Sequence, residues 1–356
     1  RGAQINLGSV NVLNCEDIYL HPFHAVIYAL FAFVMMAASF HFCWSKIRAS
    51  AEGEKQQGLI QRCEDEANAH ECSFWWVSAE ALRHSKDVTL PKFQELRKRD
   101  GFLEKKTVSR YDSVHGTLAN NFLTVSHRWL GGGGAPPDPT GTQLTAIRNY
   151  LADHLEVEWV WFDYWSMPQD IRSAEEKIEF KHMLKHANLL YLGTRVLILL
   201  DLSYISRFWT QFEAWLSMQT PSGSGLVPAT PETRRYHIVP IHGANRTMAD
   251  GLVAMWATRT PTDAYTLLSE PDVTVTNQSD KDLQLEKLLS LNEEVQSALQ
   301  PKPENVTVSV HAPSLSHPME VPPPRAPFEM QSTALEVSTD CSVSPGATIT
   351  LPYQHV

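Results

Sequence analysis

The chain has few cysteines and no excess of basic residues, and both shortages exclude whole classes of protein. Its 356 residues include only five cysteines, an odd and scattered set that does not form the disulfide framework of a small secreted domain. The main domain therefore fits a reducing compartment. The formal net charge is −10 at pH 7, and nucleic-acid binding needs a basic surface for phosphate contacts. No nucleic-acid partner is expected.

The signatures of phosphate loops and structural metal sites are also missing. Gly131 to Gly134 form a run of four glycines, but the run lacks both the spacing of a dinucleotide fingerprint and the lysine of a P-loop. Cys63, His70 and Cys72 stand near one another, yet no fourth ligand follows at a usual zinc spacing. The sequence therefore predicts no metal site and no resident cofactor.

One long apolar run stands near the N-terminus. Phe23 to Cys43 contains no Asp, Glu, Lys or Arg, and at 1.5 Å per residue a helix of this length is roughly 31 Å long, which matches the hydrocarbon core of a bilayer. Acidic residues precede the run, and Lys46 and Arg48 follow it, so the positive-inside rule puts its C-terminal side in the cytoplasm. We predict a single-pass membrane protein whose main domain is cytoplasmic. The alternative, favoured by His24 and His41, is a buried helix of the main domain.

Shifts in composition divide the chain into six segments. The predicted segments are a polar N-terminal stretch (1–20), a transmembrane helix (21–45), a juxtamembrane helical region (46–106), an α/β domain (107–245), a helical C-terminal extension (246–300) and a Pro- and Ser-rich tail (301–356). Within the third segment, 74–83 and 90–100 are predicted to be short helices. Ten of the 22 prolines fall in the tail, which cannot bury a core and is expected to be disordered.

Short apolar strands alternate with amphipathic helices in the predicted α/β domain. The strands are expected near 121–129, 157–163, 195–201 and 236–242, with helices between them and a loop at 220–230. Such alternation implies an open parallel sheet with helices on both faces. The carboxyl ends of parallel strands meet at one edge, where α/β sheets bind ligands. The polar residues expected there are Ser126, His127 and Arg128, then Asp163, Ser166 and Gln169, then Asp201, Arg207 and Glu213, then His242 and Asn245.

Glu213 is the unusual member of this set because it stands on a mostly aromatic helix. Phe208, Phe212 and Trp215 recur at helical spacing, and Glu213 follows Trp209 by one turn. Burying a charge is costly, so the carboxylate needs a reason. One reason is an ion pair with a nearby arginine such as Arg207; the other is a functional carboxylate at the ligand edge.

Three motifs resemble the fungal heterokaryon-incompatibility (HET) domain, in the same order and with similar spacing over about residues 110–240. They are Ser126-His-Arg-Trp129, which resembles Ser-Tyr-x-Trp-Gly; Asp163-Tyr-Trp-Ser-Met-Pro-Gln169, which resembles Asp-x-x-Cys-Ile-x-Gln; and Arg207-Phe-Trp-Thr-Gln-Phe-Glu213, which resembles Arg-x-Trp-Thr-x-Gln-Glu. The departures from the family pattern are His127 for Tyr, Leu130 for Gly, Ser166 for Cys and Phe212 for Gln.

The resemblance extends to function. HET domains are similar to TIR domains, in which a glutamate four residues after a tryptophan is the catalytic residue of NAD⁺ cleavage, and Trp209 and Glu213 have that spacing. The resemblance implies intracellular signalling in innate immunity or self/non-self defence, with NAD⁺ as substrate and Glu213 as the carboxylate that stabilises an oxocarbenium-like state. The implied substrate-binding residues are Ser126, His127, Arg128, Trp129, Asp163, Gln169, Arg207 and Trp209. Trp209 or Trp165 is expected to stack on a base, and Arg128 or Arg207 to hold phosphates.

Two other functions remain open at this point. The domain is alternatively a signalling module that assembles into a homo-oligomer without turnover, in which case Arg207 and Glu213 are structural partners. A nucleotide sensor that binds NAD⁺ without cleaving it is the third possibility. Consumption of NAD⁺ by the purified protein distinguishes the first function from the other two.

Overall fold

The computed structural model describes residues 22–131 and 135–300, with side chains from residue 26 onward. The predicted N-terminal stretch (1–20) and the predicted tail (301–356) lie outside these residues. An α/β fold with a mostly parallel sheet is confirmed. The strands are β1 Glu71–Ser78, β2 Leu103–Ser109, β3 Phe122–Ser126, β4 Trp159–Trp161, β5 Arg195–Leu200, β6 Gln219–Ser222, β7 Gly225–Pro228 and β8 Tyr236–Pro240.

The main sheet has six strands in the order β2-β1-β4-β3-β5-β8. β4, β3, β5 and β8 run parallel, so Ser126, Asp163 and Asp201 all stand at the same edge, as predicted. β1 pairs antiparallel with β4 and with β2, which makes the sheet mixed. β6 and β7 form a separate antiparallel hairpin where a loop was predicted.

The prediction of a purely helical segment over 46–106 is wrong in its second half. Residues 74–78 belong to strand β1 and not to a helix, and a helix begins only after the N-cap residue Ser78. The side chains of Cys72, Phe74 and Trp76 are buried, whereas Glu71, Ser73 and Trp75 are partly exposed, which is the period of two expected of a strand. Aromatic residues also favour this pleated, half-buried surface. The α/β unit therefore begins near residue 71, well before the predicted boundary at 107.

Helices cover both faces of the sheet. The helices are α1 Pro22–Asn68, α2 Ala79–His84, α3 Phe93–Leu96, α4 Arg110–His115, α5 Thr142–Asp153, α6 Asp163–Ser166, α7 Ala174–Lys185, α8 Asn188–Gly193, α9 Phe208–Ser217, α10 Arg246–Trp256, α11 Pro261–Ser269 and α12 Gln278–Leu299. The helical segment between β4 and β5 is interrupted near His186, between α7 and α8. The extension after residue 246 is helical, as predicted.

Strand β5 shows how the sheet divides the core. Val196, Ile198 and Leu200 pack into one buried cluster, which includes the aromatic face of α9. Leu197 and Leu199 point to the other side and pack into a second cluster with α5. Because successive side chains of a strand point to opposite faces, both faces of this central strand need a helical cover. This layering holds α9 against the strand ends.

Helix α1 joins the predicted transmembrane and juxtamembrane helices into one element of 47 residues. Its apolar part is long and apolar enough to cross a membrane, and none of that part is buried. The alternative of a buried core helix is therefore wrong for this segment. The C-terminal part of α1 packs against β1 and α7.

Candidate functional site

A cavity of about 600 Å³ opens at the carboxyl ends of β3, β4 and β5. Its wall combines arginines, carboxylates and aromatic side chains, and most of the predicted site residues contribute to it. The lining includes His127, Arg128, Trp129, Trp161, Asp163, Gln169, Arg172, Phe180, Tyr191, Arg207, Trp209, Glu213 and Asp280. Small-molecule sites in proteins are commonly about 300–1,000 Å³ in volume, so the cavity has the size of a ligand site.

Helix α9 places Glu213 in the wall of the cavity. Phe208, Phe212 and Trp215 bury the apolar face of the helix against the sheet, and this packing turns Glu213 toward the end of β3. There the hydroxyl of Ser126 donates a hydrogen bond to Oε2 of Glu213, with 2.6 Å between the oxygens. Because that hydroxyl has one hydrogen, the hydroxyl of Tyr204, 2.5 Å away, is the donor to Ser126. A buried relay of two hydroxyls thus holds the carboxyl group.

Glu213 has an unusual charge environment for a glutamate. Burial raises the pKa of its carboxyl group, hydrogen bonds from Ser126 and Tyr191 lower it, and the charge of Asp163 raises it, with a net pKa of about 8. Among the described residues Glu213 has no ion pair, so the expected structural pairing with Arg207 is not formed. The carboxyl group is therefore protonated in most molecules at neutral pH, while it remains partly exposed to the cavity.

Asp163 organises the opposite side of the cavity. Its Oδ1 accepts a hydrogen bond from Nε2 of His127 at 2.8 Å, and its Oδ2 accepts one from Nε1 of Trp129 at 2.7 Å. The imidazole of His127 stacks on Phe162, with 3.9 Å between the ring centroids. Since Nε2 carries the hydrogen, Nδ1 of His127 is an acceptor, and it has no partner within the described residues.

Two predicted substrate-binding residues have mainly structural contacts. Ser126 is fully buried and does not line the cavity; it acts on Glu213 from behind. Gln169 lines the cavity, but its amide donates to the carbonyl oxygens of Asp163 and Met167 at 2.9 and 2.8 Å. Its backbone also exchanges hydrogen bonds with the side chain of Gln94. Gln169 therefore fixes the loop after α6.

Three arginines give the cavity its positive charge. The guanidinium of Arg207 is exposed and forms no ion pair in the described part of the chain, and Nε of Arg128 is buried without a partner there. Arg172 was not predicted from the sequence; its Nε donates to the carbonyl of Pro168 at 2.6 Å, and its guanidinium lies 3.6 Å from the ring centroid of Phe180. Arg172 follows Gln169, the last residue of the second motif, by three positions in the sequence.

Besides Ser126, five residues expected at this edge stand apart from the cavity. One is Ser166, which is buried and accepts a hydrogen bond from the backbone N–H of Phe162. Trp165 is buried and stacks on Phe162 in the core, so it is not available to stack on a base. Asp201 accepts hydrogen bonds from the backbone and hydroxyl of Ser203 and closes its own turn. Asn245 caps α10, and His242, in the preceding turn, does not line the cavity. Tyr191 and the segment 274–276 line it instead and were not predicted.

Known proteins add no family assignment. A scan against protein-family models, a search of curated proteins and a search of solved structures each found no match to this chain. The function is therefore inferred from the residues of the cavity and from the three motifs.

Proposed function

We propose that the α/β domain binds NAD⁺ in this cavity and hydrolyses its nicotinamide–ribose bond, with Glu213 as the carboxylate beside the reacting carbon. One observation about Glu213 carries this proposal. Glu213 presents a carboxyl group to the cavity and has no cationic partner among the described residues; the Ser126 hydroxyl holds it, and burial destabilises its anion. A group with this environment is suited to a ligand that brings its own positive charge.

The reaction needs such a carboxylate. The bond between ribose C1′ and the nicotinamide nitrogen breaks, its electron pair passes to that nitrogen, and neutral nicotinamide leaves. The positive charge moves to the ribose as an oxocarbenium-like state, water adds to C1′, and the water releases a proton. A carboxylate held next to C1′ stabilises the developing charge, and this stabilisation is strongest where water is partly excluded.

The raised pKa of Glu213 fits the same sequence of events. Before binding, the carboxyl group is mostly neutral at pH 7 because its pKa is about 8. The positively charged nicotinamide ring favours the ionised form, since an opposite charge nearby lowers the pKa of a carboxyl group. The substrate therefore promotes release of the proton to solvent and generates the carboxylate at the place where it acts.

The remaining lining provides contacts for the other parts of NAD⁺. Arg128 and Arg207 line the cavity and are suited to hold the two phosphates, because a guanidinium binds phosphate oxygens in a bidentate manner. Trp209 and Trp129 offer aromatic faces for a base. These contacts suit any dinucleotide or nucleotide, so they also support a sensor that binds without cleaving.

The biological setting is part of the proposal. We infer that α1 anchors the chain in a membrane and that the domain after residue 45 is cytoplasmic, because basic residues follow the apolar part of the helix. The resemblance to HET and TIR domains adds a role in intracellular signalling or defence, with assembly of several copies of the domain. Assembly without turnover is the runner-up.

The proposal is tested with the purified full chain in detergent, incubated with NAD⁺ over a range of protein concentrations. Release of free nicotinamide in proportion to NAD⁺ consumed is the expected result. Saturable binding of NAD⁺ without nicotinamide release would contradict hydrolysis and support the sensor. Neither binding nor release at any protein concentration would leave the assembly module as the better interpretation.

A further inference from the structure

A second cluster of polar side chains lies outside the cavity, where α1 and α7 pack against β1. The thiol of Cys72 and the imidazoles of His182 and His186 each offer one ligand atom, and these three atoms lie within 4.8 Å of one another. We propose that this cluster binds a divalent transition-metal ion of the zinc class, with Cys72, His182 and His186 as its protein ligands.

The hydrogen bonds of the two histidines orient them for this role. Nε2 of His182 lies 2.9 Å from Oε2 of Glu66, and Nδ1 of His186 lies 2.8 Å from the carbonyl oxygen of His182. The backbone N–H and the hydroxyl of Ser73 both donate to the carboxylate of Glu66, so Glu66 is also the acceptor for His182. The two nitrogens in these hydrogen bonds must therefore carry hydrogen. In the neutral rings, Nδ1 of His182 and Nε2 of His186 then each have a lone pair for a metal ion.

This pattern is the one found around metal-binding histidines. A ligating imidazole normally donates its second N–H to a carboxylate or a backbone carbonyl, and that bond fixes the ring and its tautomer. Here one histidine has the carboxylate of Glu66 and the other has a carbonyl. Ser73 in turn donates two hydrogen bonds to Glu66, at 2.7 and 3.0 Å, which holds the carboxylate in place.

The donor types and spacing favour zinc over harder cations. Two histidines separated by three residues and one cysteine make a nitrogen and sulfur set, and such ligands suit Zn²⁺ and not Mg²⁺ or Ca²⁺. Cys72 is fully buried, and its sulfur lies 4.0 Å from the carbonyl oxygen of His182. Three protein ligands leave a fourth tetrahedral position open. Cys63, one helical turn before Glu66 on α1, is partly exposed.

Nearby negative charge must balance a metal cation that binds at this cluster. The thiol of Cys72 is buried, and it has to lose its proton to solvent when the ion binds. A coordinating thiol is deprotonated by the metal itself. The ammonium of Lys287 donates to the carbonyl oxygen of Lys185, the residue before His186, and brings a positive charge to this region. The Cys72 thiolate and the Glu66 carboxylate supply two negative charges that offset the ammonium of Lys287.

The site would connect the membrane helix to the domain. The ion would join Cys72 of β1 to the histidines at the end of α7, and Glu66 at the end of α1 would be connected to it through the hydrogen bond with His182. The local sequence suggested Cys63, His70 and Cys72 as partial ligands and excluded a metal. In the structure the cluster contains His182 and His186 and not His70, and both histidines are 110 or more residues away from Cys72 in the sequence.

The test uses the full chain in detergent, stripped of metal with a chelator and titrated with Co²⁺, a spectroscopic substitute for Zn²⁺. One equivalent of Co²⁺ should produce tetrahedral d–d bands and a thiolate-to-cobalt charge-transfer band, and Zn²⁺ should abolish both. Cys72→Ser should remove the charge-transfer band, whereas Cys43→Ser, a matched control on the exposed part of α1, should keep it. Glu66→Gln should weaken binding roughly 10- to 100-fold.

A second measurement covers the case in which Cys72→Ser does not fold. Zn²⁺ should raise the melting temperature of the parent and of Cys43→Ser, because a ligand that binds the folded state stabilises it. His186→Gln replaces a partly exposed ligand and should keep the fold but lose the response to Zn²⁺. Absence of the charge-transfer band in the parent, its persistence in folded Cys72→Ser, or an unchanged response in His186→Gln would overturn the proposal.

Discussion

The hydroxyl of Ser126 donates to Oε2 of Glu213 across 2.6 Å, and this hydrogen bond joins the end of strand β3 to the middle of helix α9. The two residues are 87 positions apart in the sequence, in the first and third motifs of the HET-like pattern. The hydrogen bond therefore joins two of the three motifs in space. A small hydroxyl residue at the strand end is the orienting donor for the glutamate of the helix.

Ser126→Ala should impair turnover of NAD⁺ through Glu213. The hydrogen bond from Ser126 lowers the pKa of Glu213, so its loss should raise that pKa further and shift the acid limb of the pH–rate profile to higher pH. Hydrogen bonds to charged groups contribute about 1.5–3 kcal/mol, so turnover at neutral pH should fall by about tenfold or more. Tyr204→Phe removes only the outer hydroxyl and should have a smaller effect. An unchanged pH profile in Ser126→Ala would contradict the orienting role.

Glu213→Gln should stabilise the folded protein at alkaline pH. The carboxyl group has a pKa of about 8 in the folded chain and an ordinary pKa of 4.5 in the unfolded chain. Between these values the unfolded state has lost the proton and the folded state has kept it, so stability falls as pH rises from about 4.5 to about 8. Glutamine does not titrate and removes this loss.

Unfolding of the parent and of Glu213→Gln by denaturant at pH 5 and at pH 8 tests this effect. The advantage of the variant should grow between the two values by at least about 1.4 kcal/mol, the equivalent of one pKa unit. Glu286→Gln is the matched control, because Glu286 is exposed on α12 and should show no pH-dependent difference. A constant difference between parent and Glu213→Gln would show that Glu213 has an ordinary pKa.

Arg207→Ala should weaken substrate binding more than it slows the chemical step. Arg207 is exposed at the rim of the cavity, and its side chain is one of the proposed phosphate contacts. A contact made equally in the ground state and the transition state raises KM and leaves kcat unchanged. KM for NAD⁺ should rise about tenfold, in line with loss of a charge-assisted hydrogen bond. Arg246→Ala, on the exposed face of α10, is the control; an equal rise in its KM would exclude a specific contact.

Membrane attachment should depend on the N-terminal part of α1. Its apolar residues are unburied in the fold, and such a surface is stable in a bilayer and not in water. After carbonate extraction the full chain should stay in the membrane pellet, and a chain that starts near residue 50 should be released. Release of both chains would contradict a spanning helix. The shorter chain retains β1 and β2, which start at Glu71 and Leu103, so its sheet is complete.

The parallel strands were predictable because their signal is local. Each is a short apolar run followed by polar residues, and burial on both faces of a central strand such as β5 needs only that pattern. β1 was missed because Phe74 to Val77 are followed directly by a helix-forming stretch that begins at Ala79. Pairing with β2 and β4 decides its conformation, and that pairing is tertiary information.

The site was predictable in position and less so in detail. Motif residues His127, Asp163, Trp209 and Glu213 do line one cavity, because parallel strands end at one edge. The buried role of Ser126 depends on the direction of its side chain, which the order of residues does not specify. The cluster of Cys72 with His182 was missed for a related reason, since its members come from different elements.

Release of nicotinamide from NAD⁺ by the full chain, measured side by side for the parent, Glu213→Gln and Glu286→Gln, tests the central proposal most directly. Both glutamines keep the size and the helix preference of the residue, and only the first removes the carboxyl group from the cavity. The parent and Glu286→Gln should release nicotinamide at the same rate, and Glu213→Gln should be slower by roughly 10² or more, as expected for loss of one pre-organised electrostatic group. Equal rates in all three proteins, with all three folded, would contradict the assignment of Glu213 as the catalytic carboxylate.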